Sequence, residues 1–159
     1  MESNLVAAVP DGAIRTVKEF QEYVELVVGM EDYHNYFNAG ILLMNLKELR
    51  NIRFRLKFIY LLDVIKFRVA QDQDYLNRIC KGRVKLLDSK WNTMPAASET
   101  HRANEPKLLH FNLNKPWHLD NIPYEEYFWK YAKKTEFCDL IHKIKDDFSE
   151  SQKQEDVQT

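Results

Sequence analysis

Cysteine is scarce in this sequence, and long apolar runs are absent from it. Only Cys80 and Cys138 are cysteines, and neither belongs to a Cys-x-x-Cys pair, so neither a thiolate zinc site nor a disulfide framework is indicated. No run of about 18 apolar residues occurs, so no membrane-spanning helix is predicted. Residues 1–6 lack the basic and apolar regions of a leader peptide, so we expect a cytoplasmic protein.

The charge of the chain has no bias toward either sign. It holds 23 basic and 24 acidic residues, for a net charge of −1. That balance gives no electrostatic reason to expect a nucleic-acid partner. Hydrophobic residues make up 45% of the chain, which is enough to build a compact core and argues against wholesale disorder.

Short apolar runs alternate with amphipathic segments along the chain, which predicts an α/β fold. Strands are predicted over residues 5–9, 40–44, 84–87 and 108–111, and helices over 16–28, 46–50, 53–69, 71–81, 124–134 and 137–148. Asn45 fits a helix N-cap, with Glu48 in the capping-box position. Residues 33–38 are predicted to form a loop, and the polar tail 149–159 is predicted to be disordered.

Asn38, Ala39 and Gly40 form a first candidate site just before a predicted strand. The small side chains of Ala39 and Gly40 allow a ligand to approach the backbone closely. The Asn38 amide offers donors and acceptors to a sugar hydroxyl. The alternative interpretation is a turn that only starts the strand.

Carboxylates and amides alternate over residues 71–74, at the start of a predicted helix. Part of this pattern is explained by helix capping, because helix N-termini favour negative charge. The functional interpretation is sugar recognition through paired hydroxyl hydrogen bonds. Alternate residues on one helical turn cannot all face one pocket, so we expect Asp72 and Gln73 to face the ligand and Asp74 to pack or cap.

Two further blocks follow predicted strands. Asn92 comes after Trp91 and is a candidate contact for an acceptor, while Trp91 itself is expected in the core. His110 ends another apolar run, and its imidazole is a candidate ligand for a divalent metal. Lys115 lies five positions later and can reach a phosphate as a point charge.

Taken in order, these motifs resemble those of the family 8 glycosyltransferases, which include glycogenin and bacterial lipopolysaccharide galactosyl- and glucosyltransferases. The resemblance covers about residues 4–135. It rests on Ala7-Ala8-Val9-Pro10-Asp11, Phe37-Asn38-Ala39-Gly40, Asp72-Gln73-Asp74 with Leu76-Asn77, Trp91-Asn92, and His110 with Lys115-Pro116-Trp117. The resemblance implies a GT-A-like mixed sheet flanked by helices, truncated at the N-terminus, with residues 1–148 as the C-terminal portion of the domain.

The same resemblance implies transfer of a hexose from a UDP-sugar to an acceptor hydroxyl, with retention at the anomeric carbon and with Mn²⁺ or Mg²⁺ as cofactor. The acceptor implied is a saccharide or glycolipid of the cell envelope, such as lipopolysaccharide. The implied roles are metal ligand for His110, diphosphate contact for Lys115, acceptor contact for Asn92, donor-sugar contacts for Asn38, Ala39, Gly40 and Asp72, and catalytic positions for Asp72 and Gln73 beside the anomeric carbon. A glutamine is a poor nucleophile, so this set favours front-side attack over a covalent intermediate on a carboxylate.

Two departures from the family pattern bear on these expectations. The loop between His110 and Lys115 has no glycine, and no Asp-x-Asp motif precedes Leu5. The half with two further metal ligands and the uridine pocket is therefore expected to be missing, and the chain alone should transfer sugar weakly or not at all, because one imidazole binds Mn²⁺ loosely. The alternative is a non-catalytic remnant that acts only as a binding or interaction module.

Loss of neighbouring strands would also expose apolar faces of the strands at 5–9 and 40–44. Exposed strand edges favour association, so we expect self-association in solution. For the full-length enzyme the family resemblance adds peripheral association with the inner face of the membrane.

Overall fold

The computed structural model describes residues 1, 3–95 and 103–158, with side chains described as far as Ser149. The chain forms two compact units. The first contains Met1–Thr93 and the segment that ends at His110, and the second contains Met94 and the chain from Phe111 onward. Within the described residues, no helix combines the length and the apolar character needed to cross a bilayer.

A three-stranded mixed sheet organises the first unit. Its strands are β1 (Val6–Pro10), β2 (Phe37–Met44) and β3 (Val84–Leu86), in the order β2-β1-β3. β1 pairs antiparallel with β2 and parallel with β3. The expectation of a mixed sheet flanked by helices is therefore confirmed. Because β1 is the central strand, its residues are buried rather than exposed.

A bulge interrupts the pairing of β1 with β2. Ala8 pairs with Leu42 and Pro10 pairs with Phe37, so two steps along β1 face five steps along β2. Residues 38–41, which include the Asn-Ala-Gly segment, therefore face Val9 alone, a surplus of three residues on β2. Bulges re-aim side chains and are frequent beside active sites. This one turns Asn38 toward the end of β1.

Helices and short helical turns surround this sheet in the first unit. They are a 3-10 turn at Ile14–Thr16, α1 (Lys18–Tyr23) with a π-helical turn at Val24–Val28, a 3-10 turn at Tyr33–Asn35, α2 (Leu46–Asn51), α3 (Phe54–Val64), α4 (Asp72–Cys80) and a 3-10 turn at Ser89–Trp91. The capping prediction is confirmed, because the Asn45 side chain accepts a hydrogen bond of 3.3 Å from the Glu48 amide. Gly29 closes the first helical segment in the left-handed conformation, with φ of 82°.

Side-chain contacts explain two of the predicted boundaries that are wrong. α3 ends at Val64, because the Tyr75 hydroxyl donates to the Ile65 carbonyl at 2.7 Å and accepts from the Phe67 amide at 3.3 Å, which holds that backbone outside the helix. β2 begins at Phe37, inside the predicted loop, because a helix side chain pairs with the Phe37 backbone. Neither tertiary contact leaves a local signal in the sequence.

The core of the first unit consists of two apolar clusters. One joins the sheet to α2 and α4 and consists of Leu5, Val6, Ala8, Phe37, Leu49 and Cys80. The other joins the α1 region to α4 and consists of Ile14, Val24, Val28, Met30, Tyr36, Phe67 and Tyr75. Each buried Val or Leu stabilises the fold by roughly 1.5–3 kcal/mol. By contrast, Leu43 on β2 is 59% exposed and lines an open apolar groove of about 320 Å³.

The second unit contains α5 (Glu125–Ala132) and α6 (Cys138–Gln158). Aromatic contacts hold it together, such as Trp129 stacked on His142 at 4.6 Å between ring centroids. α6 continues past the predicted helix end at Phe148, and the Glu, Lys and Gln residues there have good helix propensity. Disorder of residues 149–159 in solution stays a prediction.

Candidate functional site

Asp11 lies at the centre of the polar groups that follow β1. Its Oδ1 accepts hydrogen bonds from the amides of Ala13 (2.9 Å) and Ile14 (3.4 Å), which shapes the turn after Pro10. Its Oδ2 accepts from Asn38 Nδ2 and Gln73 Nε2, each at 3.0 Å. The residue is 6% exposed, so this carboxylate is stabilised by four N–H donors rather than by water.

The bulge on β2 places Asn38 beside this carboxylate. While its Nδ2 donates to Asp11, its Oδ1 accepts from the Gly40 amide at 3.0 Å and from Asn92 Nδ2 at 2.9 Å. Asn38 is 6% exposed and Asn92 is 1% exposed. The two amides therefore join the turn after β1, the bulge of β2 and the segment after β3.

His110 is brought to the same network by a parallel β-bridge between Thr93 and Leu109. The His110 amide donates to the Thr93 carbonyl at 2.9 Å, and the ring Nδ1 lies 3.2 Å from Asn92 Oδ1. His110 therefore reaches Asn38 through Asn92.

Gly40 supplies the surface on which the imidazole lies. A Cβ placed on Gly40 would be 2.0 Å from His110 Cε1 and 2.6 Å from Nδ1, far inside van der Waals contact. The space that Gly40 leaves beside its backbone is thus occupied by the His110 ring. Any side chain at position 40 would displace that ring.

α4 is fastened to β2 by two amide side chains one helical turn apart. Gln73 Oε1 accepts from the Ala39 amide at 2.8 Å. Asn77 Oδ1 accepts from the Phe37 amide at 2.9 Å, and its Nδ2 donates to the Phe37 carbonyl at 2.8 Å. Four helical residues rise about 6 Å and two strand residues about 6.6 Å, so this spacing lets both amides meet alternate residues of β2.

The two aspartates of the same helix behave differently. Asp74 is buried and accepts from the hydroxyls of Tyr36 (2.6 Å) and Tyr23 (2.8 Å) and from the Ala70 amide (3.0 Å), so it packs inside the fold, which is one of the two roles expected. Burial and the hydrogen bond to Asp74 raise the pKa of Tyr23 to about 12 and also raise the pKa of Tyr36. Asp72, in contrast, is exposed at the first residue of α4.

Lys115 belongs to the second unit, where its ammonium donates to the Phe111 carbonyl and lies 5.5 Å from the centroid of the Trp117 ring. Pro116 between them is buried. These local contacts hold the loop after His110, while the phosphate role of Lys115 stays a prediction.

His110 fits one position of a divalent-metal site. A metal-ligating histidine typically uses one ring nitrogen and hydrogen-bonds through the other, which is the arrangement that the Nδ1 contact with Asn92 provides. Among the residues that the structure describes, no cluster of three or more His, Cys, Asp or Glu side chains could hold a metal. The described residues therefore do not form a complete metal site, and the role of His110 as a metal ligand stays a prediction.

Sequence reasoning missed the role of Asp11 and the position of Trp91. The sequence places Asp11 in the Ala7-Ala8-Val9-Pro10-Asp11 segment of the family resemblance but assigns it no role, and its only physical signal is a carboxylate directly after a buried strand. Trp91 was expected in the core, yet its side chain is 46% exposed, because the 3-10 turn at Ser89–Trp91 places it at the apolar groove of the first unit.

Comparison with known proteins agrees with this fold. The model of Glycosyl transferase family 8 matches residues 1–121. A putative glycosyltransferase of Haemophilus influenzae is 41% identical over 78 residues, covering 46% of this chain and 22% of that protein. A lipopolysaccharide 1,2-glucosyltransferase of Escherichia coli is 27% identical over 150 residues, covering 72% of this chain and 44% of that protein.

Two solved structures resemble the fold. The bifunctional glycosyltransferase WbbM superposes with a TM-score of 0.76 at 24% identity, over 89% of this chain and 30% of that one. The galactosyltransferase LgtC, in complex with donor and acceptor sugar analogues, superposes with a TM-score of 0.61 at 30% identity, over 84% of this chain and 53% of that one. The chain thus spans about half or less of the length of these proteins. With a matching family model over residues 1–121 and a GT-A fold, the chain belongs to glycosyltransferase family 8.

Proposed function

We propose that this chain forms the donor-sugar and acceptor side of a hexosyltransferase that uses a UDP-sugar and retains the anomeric configuration. The observation that carries the proposal is the convergence, around one buried carboxylate, of side chains from four separate segments: Asn38, Gln73, Asn92 and His110. Polar groups held in fixed orientations are what recognition of a sugar requires.

The donor sugar would lie against the bulge of β2 and the start of α4. Asn38 uses one Nδ2 hydrogen and both Oδ1 lone pairs within the network, so its second Nδ2 hydrogen is the group available to a hydroxyl among the contacts described. The exposed Asp72 carboxylate would accept a pair of sugar hydroxyls. Ala39 and the exposed part of the Gly40 backbone that the His110 ring does not cover would provide the close backbone approach.

Gln73 would lie beside the anomeric carbon. Its amide is held at both ends, by Asp11 and by the Ala39 amide, so it can position a group but is a poor nucleophile. This favours front-side attack by the acceptor hydroxyl, assisted by the departing phosphate, over a covalent intermediate on a carboxylate. An acceptor contact at Asn92 is part of the same proposal.

His110 and Lys115 are the residues that would act on the diphosphate, the first through a bound cation and the second by its own charge. The imidazole would hold Mn²⁺ or Mg²⁺ through Nε2, together with ligands outside the described residues. When bound, such a cation neutralises the charge that develops on the leaving diphosphate. Lys115, in the second unit, would supply a positive charge to a phosphate.

The relatives support the substrate classes. One is a lipopolysaccharide glucosyltransferase, and LgtC was solved with donor and acceptor sugar analogues. We therefore propose a saccharide or glycolipid acceptor of the cell envelope, with peripheral membrane association of the full-length enzyme. A second candidate is a binding module without catalysis, which is favoured by the lack of a complete metal cluster among the described residues.

Saturation-transfer NMR with UDP-glucose and UDP-galactose in Mg²⁺ would test the proposal on the purified chain. We expect signals from the hexose protons that weaken at least tenfold in Asn38→Ala and lose their Mg²⁺ dependence in His110→Ala. His34→Ala, which changes an exposed histidine outside the network, is the matched control. Absence of binding for every UDP-sugar tried, in a chain with native circular dichroism, would favour the binding module instead.

Self-association is a further part of this proposal. It would use the exposed end of β2, where Leu43 and Met44 are accessible beside the apolar groove. Light scattering should show a mass that rises with concentration and a smaller rise for Leu43→Lys. A monomer mass at all concentrations would refute self-association.

A further inference from the structure

The hydrogen bonds between Asp11 and His110 have a fixed direction. A carboxylate can only accept, so the Asn38 group that faces Asp11 Oδ2 must be its NH₂. The Asn38 carbonyl oxygen is thereby turned the other way, toward Asn92.

The same reasoning applies at the next two positions. Asn38 Oδ1 accepts, so the facing group of Asn92 must be its NH₂ at 2.9 Å. Asn92 Oδ1 then faces His110 Nδ1 at 3.2 Å and can only accept, so the ring proton must be on Nδ1. In the neutral ring, which has a single proton, Nε2 then carries the lone pair.

The opposite orientation of these side-chain amides would break the hydrogen bonds that they make. A flipped Asn38 would direct its oxygen at the carboxylate and its NH₂ at the Gly40 amide, which already donates to it at 3.0 Å. Asn38 and Asn92 are both buried, so water cannot replace the lost bonds.

We propose that Asp11 is a positioning residue that fixes the Nδ1–H tautomer of His110 through Asn38 and Asn92. Free histidine in water favours the opposite tautomer, so the protein has to impose this one. The consequence, in the neutral ring, is a lone pair on Nε2, which is the form of that nitrogen that can bind a divalent cation. That use of the nitrogen rests on the proposed function, whereas the tautomer does not.

Long-range ¹H–¹⁵N NMR of histidine-labelled chain at about pH 8, where an ordinary imidazole is neutral, reports the tautomer directly. His34 is an internal reference, because its Nδ1 lies 2.7 Å from the Asp32 carboxylate, which selects the same tautomer by direct contact. We expect His110 to show the Nδ1–H pattern of that reference. A predominantly Nε2–H pattern for His110 in the native chain overturns the inference without any variant.

Variants separate this role from general packing. Asp11→Asn can donate as well as accept, so we expect at least a threefold rise in the Nε2–H fraction of His110 with no change at His34. Adding Asn92→Asp places a carboxylate beside the ring and should restore the Nδ1–H form. Gln73→Leu removes the other amide from Asp11 and should leave the tautomer unchanged.

An unchanged tautomer in folded Asp11→Asn would overturn the role of Asp11. Failure of UDP-sugar binding with the expected tautomers present would count against the proposed function alone.

Discussion

Truncation of Asn77 to alanine should strongly destabilise the first unit. Asn77 is fully buried, and its amide pairs with both the N–H (2.9 Å) and the C=O (2.8 Å) of Phe37, itself fully buried at the start of β2. The variant withdraws the partner from both backbone groups. Each buried unpaired polar group costs about 1–3 kcal/mol, so we expect a loss of roughly 2–6 kcal/mol. That is a large share of the roughly 5–15 kcal/mol that stabilises a typical domain.

Urea unfolding followed by far-ultraviolet circular dichroism measures this loss. The matched control is Asn51→Ala, which removes an exposed amide that donates to Glu48 at 2.9 Å and should change the free energy of unfolding by less than about 0.5 kcal/mol. If Asn77→Ala with an unchanged m-value lost less than about 1 kcal/mol, the pairing of α4 with β2 would not hold the bulge in place.

Three other expectations concern single groups. Gly40→Ala should move the His110 ring by at least about 1.4 Å, which is the gap between the 2.0 Å contact and the 3.4 Å at which ordinary contact begins. The imidazole resonances of His110 should therefore shift. Gly82→Ala is the control, because open space surrounds the new methyl group and these resonances should stay in place. Burial raises the pKa of the Cys80 thiol to about 11, so at pH 8 only about one thiol in a thousand is ionised. The reaction of Cys80 with a thiol reagent should therefore be slow until urea unfolds the chain. Equal reaction rates for Cys80 and Cys138 in the folded chain would contradict this expectation. The hydrogen bond from Arg83 lowers the pKa of Glu48 below 4.5. The stabilisation that this ion pair gives the fold is therefore present above about pH 4.5 and is lost as the pH falls through the folded pKa. The difference in urea midpoint between Glu48→Gln and the native chain should accordingly vanish in acid.

Sequence signals from nearby residues predicted much of the secondary structure. The Asn45 cap is predicted because its partner is three residues away, and the helix from Asp72 to Cys80 lies within the predicted 71–81 because its ends are marked by short-range polar and glycine signals. The ordered motifs also identified the family. Boundaries failed where a distant side chain captured the backbone, as Tyr75 does at the end of α3.

The candidate site was predicted only in part. The conspicuous motifs supplied Asn38, Gln73, Asn92 and His110, and the structure brings all four together. Asp11 was assigned no role, because a single carboxylate after a buried strand gives no local sign of the distant side chains that it binds.

The sequence by itself determined the kinds of elements, the caps and the family, because these depend on residues within a few positions of one another and on motifs that can be read in order. Only the tertiary structure decided that Asp11 is the centre of the site. Its partners Asn38 and Gln73 lie 27 and 62 positions away, and a bulge in β2 is needed to aim the first at it. Strand register depends on the pairing of distant segments, so its effect on a single side chain is settled only when the sheet forms.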